Sequence, residues 1–172
     1  GDTGLWTNYS AGQSFGDWTV ESGTVSHTSA YASPNGGVGL ELQVSDGDPL
    51  GVIKQTLATE AGRQYQLVFG MTGNFGGGDA TKYLTAHISG ASTSFSVNNN
   101  VAAGYIYEPR SMTFVAESDS TSLIFSSGAT DGHGAIISDV QVIEVPDAVS
   151  VILDNDPALT YNAATGKFYK AF

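Results

Sequence analysis

Gly62-Arg63-Gln64-Tyr65-Gln66-Leu67-Val68-Phe69-Gly70-Met71 is the stretch that decides the fold. Tyr65, Leu67, Phe69 and Met71 occupy every second position, with smaller or polar residues between them. Successive side chains of a strand point to opposite faces, so this period of two predicts a strand with one apolar face. The same pattern recurs on both sides: Val38, Leu40, Leu42 and Val44; Leu84, Ala86 and Ile88; Met112, Phe114 and Ala116; Leu123 and Phe125; Val140 and Val142. Gly- and Asp-rich turn signals separate the runs, among them Pro34-Asn35-Gly36-Gly37, Ser45-Asp46-Gly47-Asp48-Pro49 and Gly76-Gly77-Gly78-Asp79. No stretch carries an apolar stripe at helical spacing. Many short strands at this spacing predict an all-β fold, an antiparallel two-sheet β-sandwich of the jelly-roll kind.

Composition narrows the function classes. The 172 residues hold 17 acidic and 6 basic side chains, a formal charge of -11. A nucleic-acid partner needs clustered Lys and Arg, and an anionic membrane surface needs the same, so neither is expected. No apolar run approaches the ~20 residues of a membrane-spanning helix. The absence of cysteine excludes disulfides and thiolate chemistry. An acidic, Lys-poor chain rich in Gly, Ser, Thr and Asn has the composition of an exported bacterial protein. The expected localisation is extracellular, at the cell surface, or on the surface of a particle.

Pro146 marks a boundary. Residues 1–146 read as a complete sandwich. Residues 147–172 read as a linker followed by a short hairpin, Leu159-Thr160-Tyr161 against Lys167-Phe168-Tyr169-Lys170, with Gly166 at the left-handed position. This segment is a possible contact with a neighbouring domain or subunit.

Four segments together resemble one family: Gly16-Asp17-Trp18-Thr19-Val20-Glu21-Ser22-Gly23-Thr24-Val25; Gly39-Leu40-Glu41-Leu42; the run from Gly51-Val52-Ile53-Lys54-Gln55-Thr56-Leu57 to Tyr65-Gln66-Leu67-Val68-Phe69; and Ser138-Asp139-Val140-Gln141-Val142. In this order and spacing they resemble the bacterial choice-of-anchor C family, which is similar to a group of plant cell-wall proteins. The resemblance implies a galactose-binding-like jelly roll, export, carbohydrate or cell-wall association, and no catalysis. The chain departs from the pattern at Asn8-Tyr9-Ser10, where no Phe-Glu pair follows, and at Gly132-His133-Gly134. The tail from Leu159 to Tyr169 resembles the opening hairpin of a bacterial C-type-lectin-like domain.

Sugar recognition needs an aromatic plane for the apolar ring face and polar side chains for the hydroxyls. Trp6, Trp18, Tyr31, Tyr105 and Tyr107 are the available planes, with Trp18 assigned to packing. Gly104-Tyr105-Ile106-Tyr107-Glu108-Pro109-Arg110 sets two aromatics beside charged groups, so Tyr105, Tyr107 and Arg110 are the expected ligand contacts. The Gly73–Asp79 loop supplies an opposite wall with Asn74 and the following Lys82, and His133 reaches in from between two glycines. The resemblance also implies one structural calcium ion held by Asp139, at the family's closing acid, and Glu41. A glycosidase would need two carboxylates across a cleft. Asp46, Asp48, Glu108, Asp131 and Asp139 do not assemble into such a pair from sequence. No nucleophile-elbow motif is present either, Ser89-Gly90-Ala91-Ser92 being the nearest string. The expected function is a non-catalytic module that binds a cell-wall or capsular polysaccharide through loops at one end of the sandwich. The alternative is a structural or adhesive assembly module of a larger surface protein or particle.

Overall fold

The computed structural model describes residues 5–44, 46–74, 76–98, 106–129 and 131–146, and the backbone of 159–162 and 167–170. Twelve strands form two six-stranded antiparallel sheets packed face to face. The first sheet runs β1(Trp6–Ser10), β4(Thr24–Thr28), β5(Gly39–Glu41), β12(Ala135–Glu144), β7(Gln64–Gly73) and β10(Glu108–Val115). The second runs β2(Ser14–Phe15), β3(Trp18–Ser22), β6(Val52–Ala58), β11(Ser120–Ser127), β8(Thr81–Ile88) and β9(Ala91–Asn98). The all-β, two-sheet expectation holds. Beyond the sandwich, β13(Leu159–Asn162) pairs antiparallel with β14(Lys167–Lys170), so the hairpin read from the tail is present. Its turn lies outside the described residues.

The alternation seen in the sequence builds the core. Tyr65, Leu67, Phe69 and Met71 are buried, as are Leu84, Ala86, Ile88, Met112, Phe114, Leu123 and Phe125. Phe125 sits at the centre, with its ring edge-on to Phe69 at 5.1 Å and tilted against Trp18 at 5.8 Å. Trp18 therefore packs, as expected.

Two details depart from the pattern. The run Val38, Leu40, Leu42, Val44 yields only a three-residue strand, because Val38 turns outward and is half exposed while Leu40 and Leu42 stay in the core. In β12 the register shifts between Ser138 and Gln141. Asp139 occupies that bulge with φ +51°, a left-handed conformation that side-chain-bearing residues seldom adopt. The bulge returns Val140 and Val142 to the core side after Ile137.

Truncating Phe125→Ala removes the centre of this packing. The expected loss is about 3–5 kcal/mol of unfolding free energy, read as a lowered midpoint in urea denaturation. A loss below about 1 kcal/mol would place the centre of the core elsewhere.

Candidate functional site

Because Val25, Leu40, Ile137 and Met71 face the core, their strand neighbours face away from it. Register aligns those neighbours in one row across the first sheet: Asn8 opposite Ser26, Ser26 opposite Glu41, Glu41 opposite Ile136, and Ile136 opposite Thr72. Ser26, Glu41, Ile136 and Thr72 are nevertheless buried. What covers them is the β4–β5 connection, residues 29–38, which crosses the outer face as a strap. Tyr107, the residue before β10, donates its hydroxyl to the Tyr31 carbonyl at 2.5 Å. The Tyr31 hydroxyl donates to Asn74 Oδ1 at 3.1 Å, and the Tyr31 ring meets Trp6 edge-on at 5.5 Å. Gly39 is required beneath this crossing: a Cβ there would lie 2.8 Å from both the Tyr31 carbonyl oxygen and Ile136 Cγ2.

On one side of the strap lies a cleft of about 290 Å³ lined by Trp6, Asn8, Glu41, Val44, Asn74 and His133, with Gly132. Glu41 forms its base and is 1% exposed. Its Oε1 accepts Asn74 Nδ2 at 2.9 Å and the Gly134 amide at 3.1 Å. Burial pushes its carboxyl up to about 7, against the pull of those two donors and of the Lys82 ammonium. His133 stands over Gly77, and its Nδ1 is buried without a hydrogen-bond partner. Partial burial works against ionisation of Asp131. The amides of Asp79 and His133 (2.9 and 3.0 Å) and the Lys82 ammonium outweigh that and hold its carboxyl below the ordinary carboxylate range. The wall carrying Gly132 and His133 is thereby fixed, with the Gly132 amide also donating to Asp46.

On the other side of the strap a groove of about 470 Å³ is lined by Pro34, Asn35, Val68, Tyr107, Arg110 and Asp139, over Gly70. Two further hollows carry no exposed aromatic plane. One lies at the β8–β9 turn beside His87 and Glu117, about 380 Å³, and the other, around Lys54, Asp17 and Glu21, about 590 Å³. A further hollow of about 290 Å³ sets Trp18 and His27 beside Asp139, with Trp18 engaged against Phe125, so volume alone does not select the site.

The residues singled out in the sequence distribute unevenly. Asn74 and His133 meet in the Glu41 cleft. Tyr107 and Arg110 line the groove instead, and Tyr105 lies outside the described residues. Lys82 requires a correction. It shares the inward parity of Leu84 in β8, is 1% exposed, and spends its ammonium on the Gly77 carbonyl at 3.2 Å and Asp131 at 3.6 Å. It props the loop from within and does not reach a ligand. The two acids expected to share a calcium ion are set apart. Glu41 and Asp139 line different clefts, and among the described residues no three His, Asp or Glu gather as a metal site. Trp6 and Asn8 join the cleft although neither is among the ligand contacts expected from the sequence. Their shared parity on β1 was a signal, but only the register with β4 and β5 brings them beside Glu41.

The model of a family described as "Protein of unknown function (DUF642)" matches residues 5–143. The chain belongs to the DUF642 family. All four segments that carried the family resemblance fall inside that span. No curated protein matches the chain in sequence. Among solved structures, the CBM35 module from Paenibacillus barcinonensis superposes with a TM-score of 0.50 at 12% identity, over 79% of this chain and 97% of that one. A family GH115 4-O-methyl-α-glucuronidase with specificity for decorated arabinogalactans gives 0.52 at 11% identity, over 81% of this chain and 18% of that one. The isomalto-dextranase of Arthrobacter globiformis T6, complexed with panose, gives 0.50 at 17% identity, over 81% and 23%. The DUF642 chain thus spans about a fifth of the two enzymes and nearly all of the binding module. At these identities the likeness is one of fold.

The raised Glu41 carboxyl has a consequence for stability. Unfolded, it ionises near its ordinary value of 4.5; folded, near 7. Between those values the folded state holds the extra proton, so Glu41's contribution is full below pH 4.5 and is lost as pH rises through 7. Glu41→Gln should therefore gain on the parent by about 3 kcal/mol on going from pH 4.5 to pH 7.5, measured by urea melts at both pH values. A constant difference between the two proteins contradicts the burial of this carboxyl.

Proposed function

We propose that this DUF642 chain is a non-catalytic carbohydrate-binding module of a secreted or surface protein, allied to the choice-of-anchor C group. It recognises a cell-wall or capsular glycan in the Glu41 cleft. The observation that carries the reading is one arrangement: the Trp6 ring, fixed edge-on by Tyr31, beside Asn8, Glu41, Asn74 and His133 on a rigid sheet. A sugar ring presents an apolar face and a rim of hydroxyls, and this site offers a plane for the first and convergent amide, carboxyl and imidazole groups for the second. The groups are held in place before a ligand arrives, which lowers the ordering cost of binding. The strong negative charge supports a partner other than a polyanion.

Arabinogalactan and dextran, the glycans named for two of the fold neighbours' chemistries, are the first probes, alongside a glycan microarray. Affinity electrophoresis is expected to show retardation of the parent and no release of reducing ends. Trp6→Ala should weaken binding about tenfold by loss of the ring plane, and Asn8→Ala about fivefold by loss of one hydrogen bond. Retardation unchanged in both variants, or none on any glycan with the parent, overturns the assignment of this cleft.

A further inference from the structure

The groove beyond the strap is built with features that the sandwich itself does not need. Its floor is Gly70, in the middle of β7. Tyr107 lies directly over that glycine, since a Cβ there would meet Tyr107 Cβ at 3.3 Å and Cδ1 at 3.2 Å. The ring is anchored at its far end by the hydroxyl bond to the Tyr31 carbonyl. Facing it, the β12 bulge carries Asp139 at φ +51° and leaves the side chain exposed. That conformation is uncommon for a residue with a Cβ, although Asp is among those that adopt it, and bulges re-aim side chains next to functional sites. The carboxylate so presented accepts the neighbouring Ser138 hydroxyl at 3.2 Å. Its Oδ1 lies close to the strap at Gly37. Pro34 and Asn35, exposed at the tip of the strap, complete the near wall. Arg110 is not free to serve an anion: its guanidinium is bonded to Glu108 and the Ser96 carbonyl, both at 2.6 Å.

We infer that this groove is a second subsite for the same glycan chain, and that it selects a neutral, hydroxyl-rich polysaccharide, with Tyr107 as its ring plane and Asp139 as the acceptor for sugar hydroxyls. The inference rests on the reading of the Glu41 cleft as a glycan site. The Tyr107 ring lies over Gly70 on β7, two strand spacings from Glu41 on β5, roughly 10 Å, on the same face of the same sheet. That is the reach of a short oligosaccharide, not of one ring. A chain seated in both hollows passes over the strap at Pro34-Asn35, whose amide is then a contact. The exposed Asp139 carboxylate accepts hydrogen bonds from sugar hydroxyls and repels uronate groups, so a polyuronide is disfavoured by like charge.

The test compares long and short neutral chains with an acidic one. The parent is expected to be retarded by dextran or arabinan and not by polygalacturonate, and to bind a long chain at least tenfold more tightly than a trisaccharide of the same linkage. Asp139→Gly removes the carboxylate and suits the left-handed backbone, so its melting temperature should stay within about 2 °C of the parent. Its affinity for the long chain should fall about tenfold, the value of a hydrogen bond to a charged group, while its affinity for the trisaccharide holds. Asn35→Ala, on an exposed loop, should give a smaller loss of the same kind. If both variants bind the long chain like the parent, or if polygalacturonate is preferred, the second subsite is wrong and the Glu41 cleft stands on the Trp6→Ala result alone. If the parent binds no polysaccharide, both sites fall together.

Discussion

Burying one face of every strand in the first sheet commits the other face. With Val25, Leu40, Ile137 and Met71 held against the second sheet, Ser26, Glu41, Ile136 and Thr72 have nowhere to point but outward. A shift of one residue in any of these strands would exchange the two sets and place Glu41 in the apolar interior, at a cost the fold could not carry. The core packing therefore sets the register, and the register assembles the row from Asn8 to Thr72 on which the site is built. The strap follows from the same constraint. It crosses that row, is pinned at Tyr31, whose carbonyl accepts Tyr107 and whose hydroxyl donates to Asn74, and has a hollow on either side.

Electrostatics then divide the polar residues by task. Lys82 and Asp131 form a pair whose cation is fully enclosed. Such pairs are weak sources of net stability but costly to break. Together with the amides of Asp79 and His133 they fix the loop that carries His133. Glu41 is different. It is buried beside two donors yet remains proton-hungry, so near neutral pH it both donates and accepts hydrogen bonds. A sugar hydroxyl does the same, which makes the match chemical as well as geometric.

Much of the fold was legible in the sequence because alternation is a direct image of the sheet. Tyr65, Leu67, Phe69 and Met71 name the core face of β7 without any structure. The site was legible only in part. Asn74 and His133 stand out as polar residues beside glycines, and they do meet. Lys82 misled because it follows a glycine-rich loop; its parity with Leu84, Ala86 and Ile88 already put it inside, and that signal outranks proximity to a loop. Trp6 and Asn8 were hidden for the opposite reason. Nothing local ties them to Glu41, and the link is made by two strand pairings separated in sequence by more than a turn. The bulge at Asp139 was equally invisible, since Asp in a left-handed conformation leaves no mark in the pattern. Asp139 lies three residues along β12 from Ile136, the partner of Glu41, and lines a different cleft.

The central claim is that ligand is received on the outer face of the first sheet, beside the strap. The most direct measurement is an amide chemical-shift map of the ¹⁵N-labelled protein during titration with a dextran or arabinogalactan oligosaccharide. The account predicts that the largest changes fall on Trp6, Asn8, Asn74 and His133, with the Trp6 indole NH among them. Changes confined to the β8–β9 turn and its neighbours Glu117 and Ser118, or spread over the outer face of the second sheet, would contradict it.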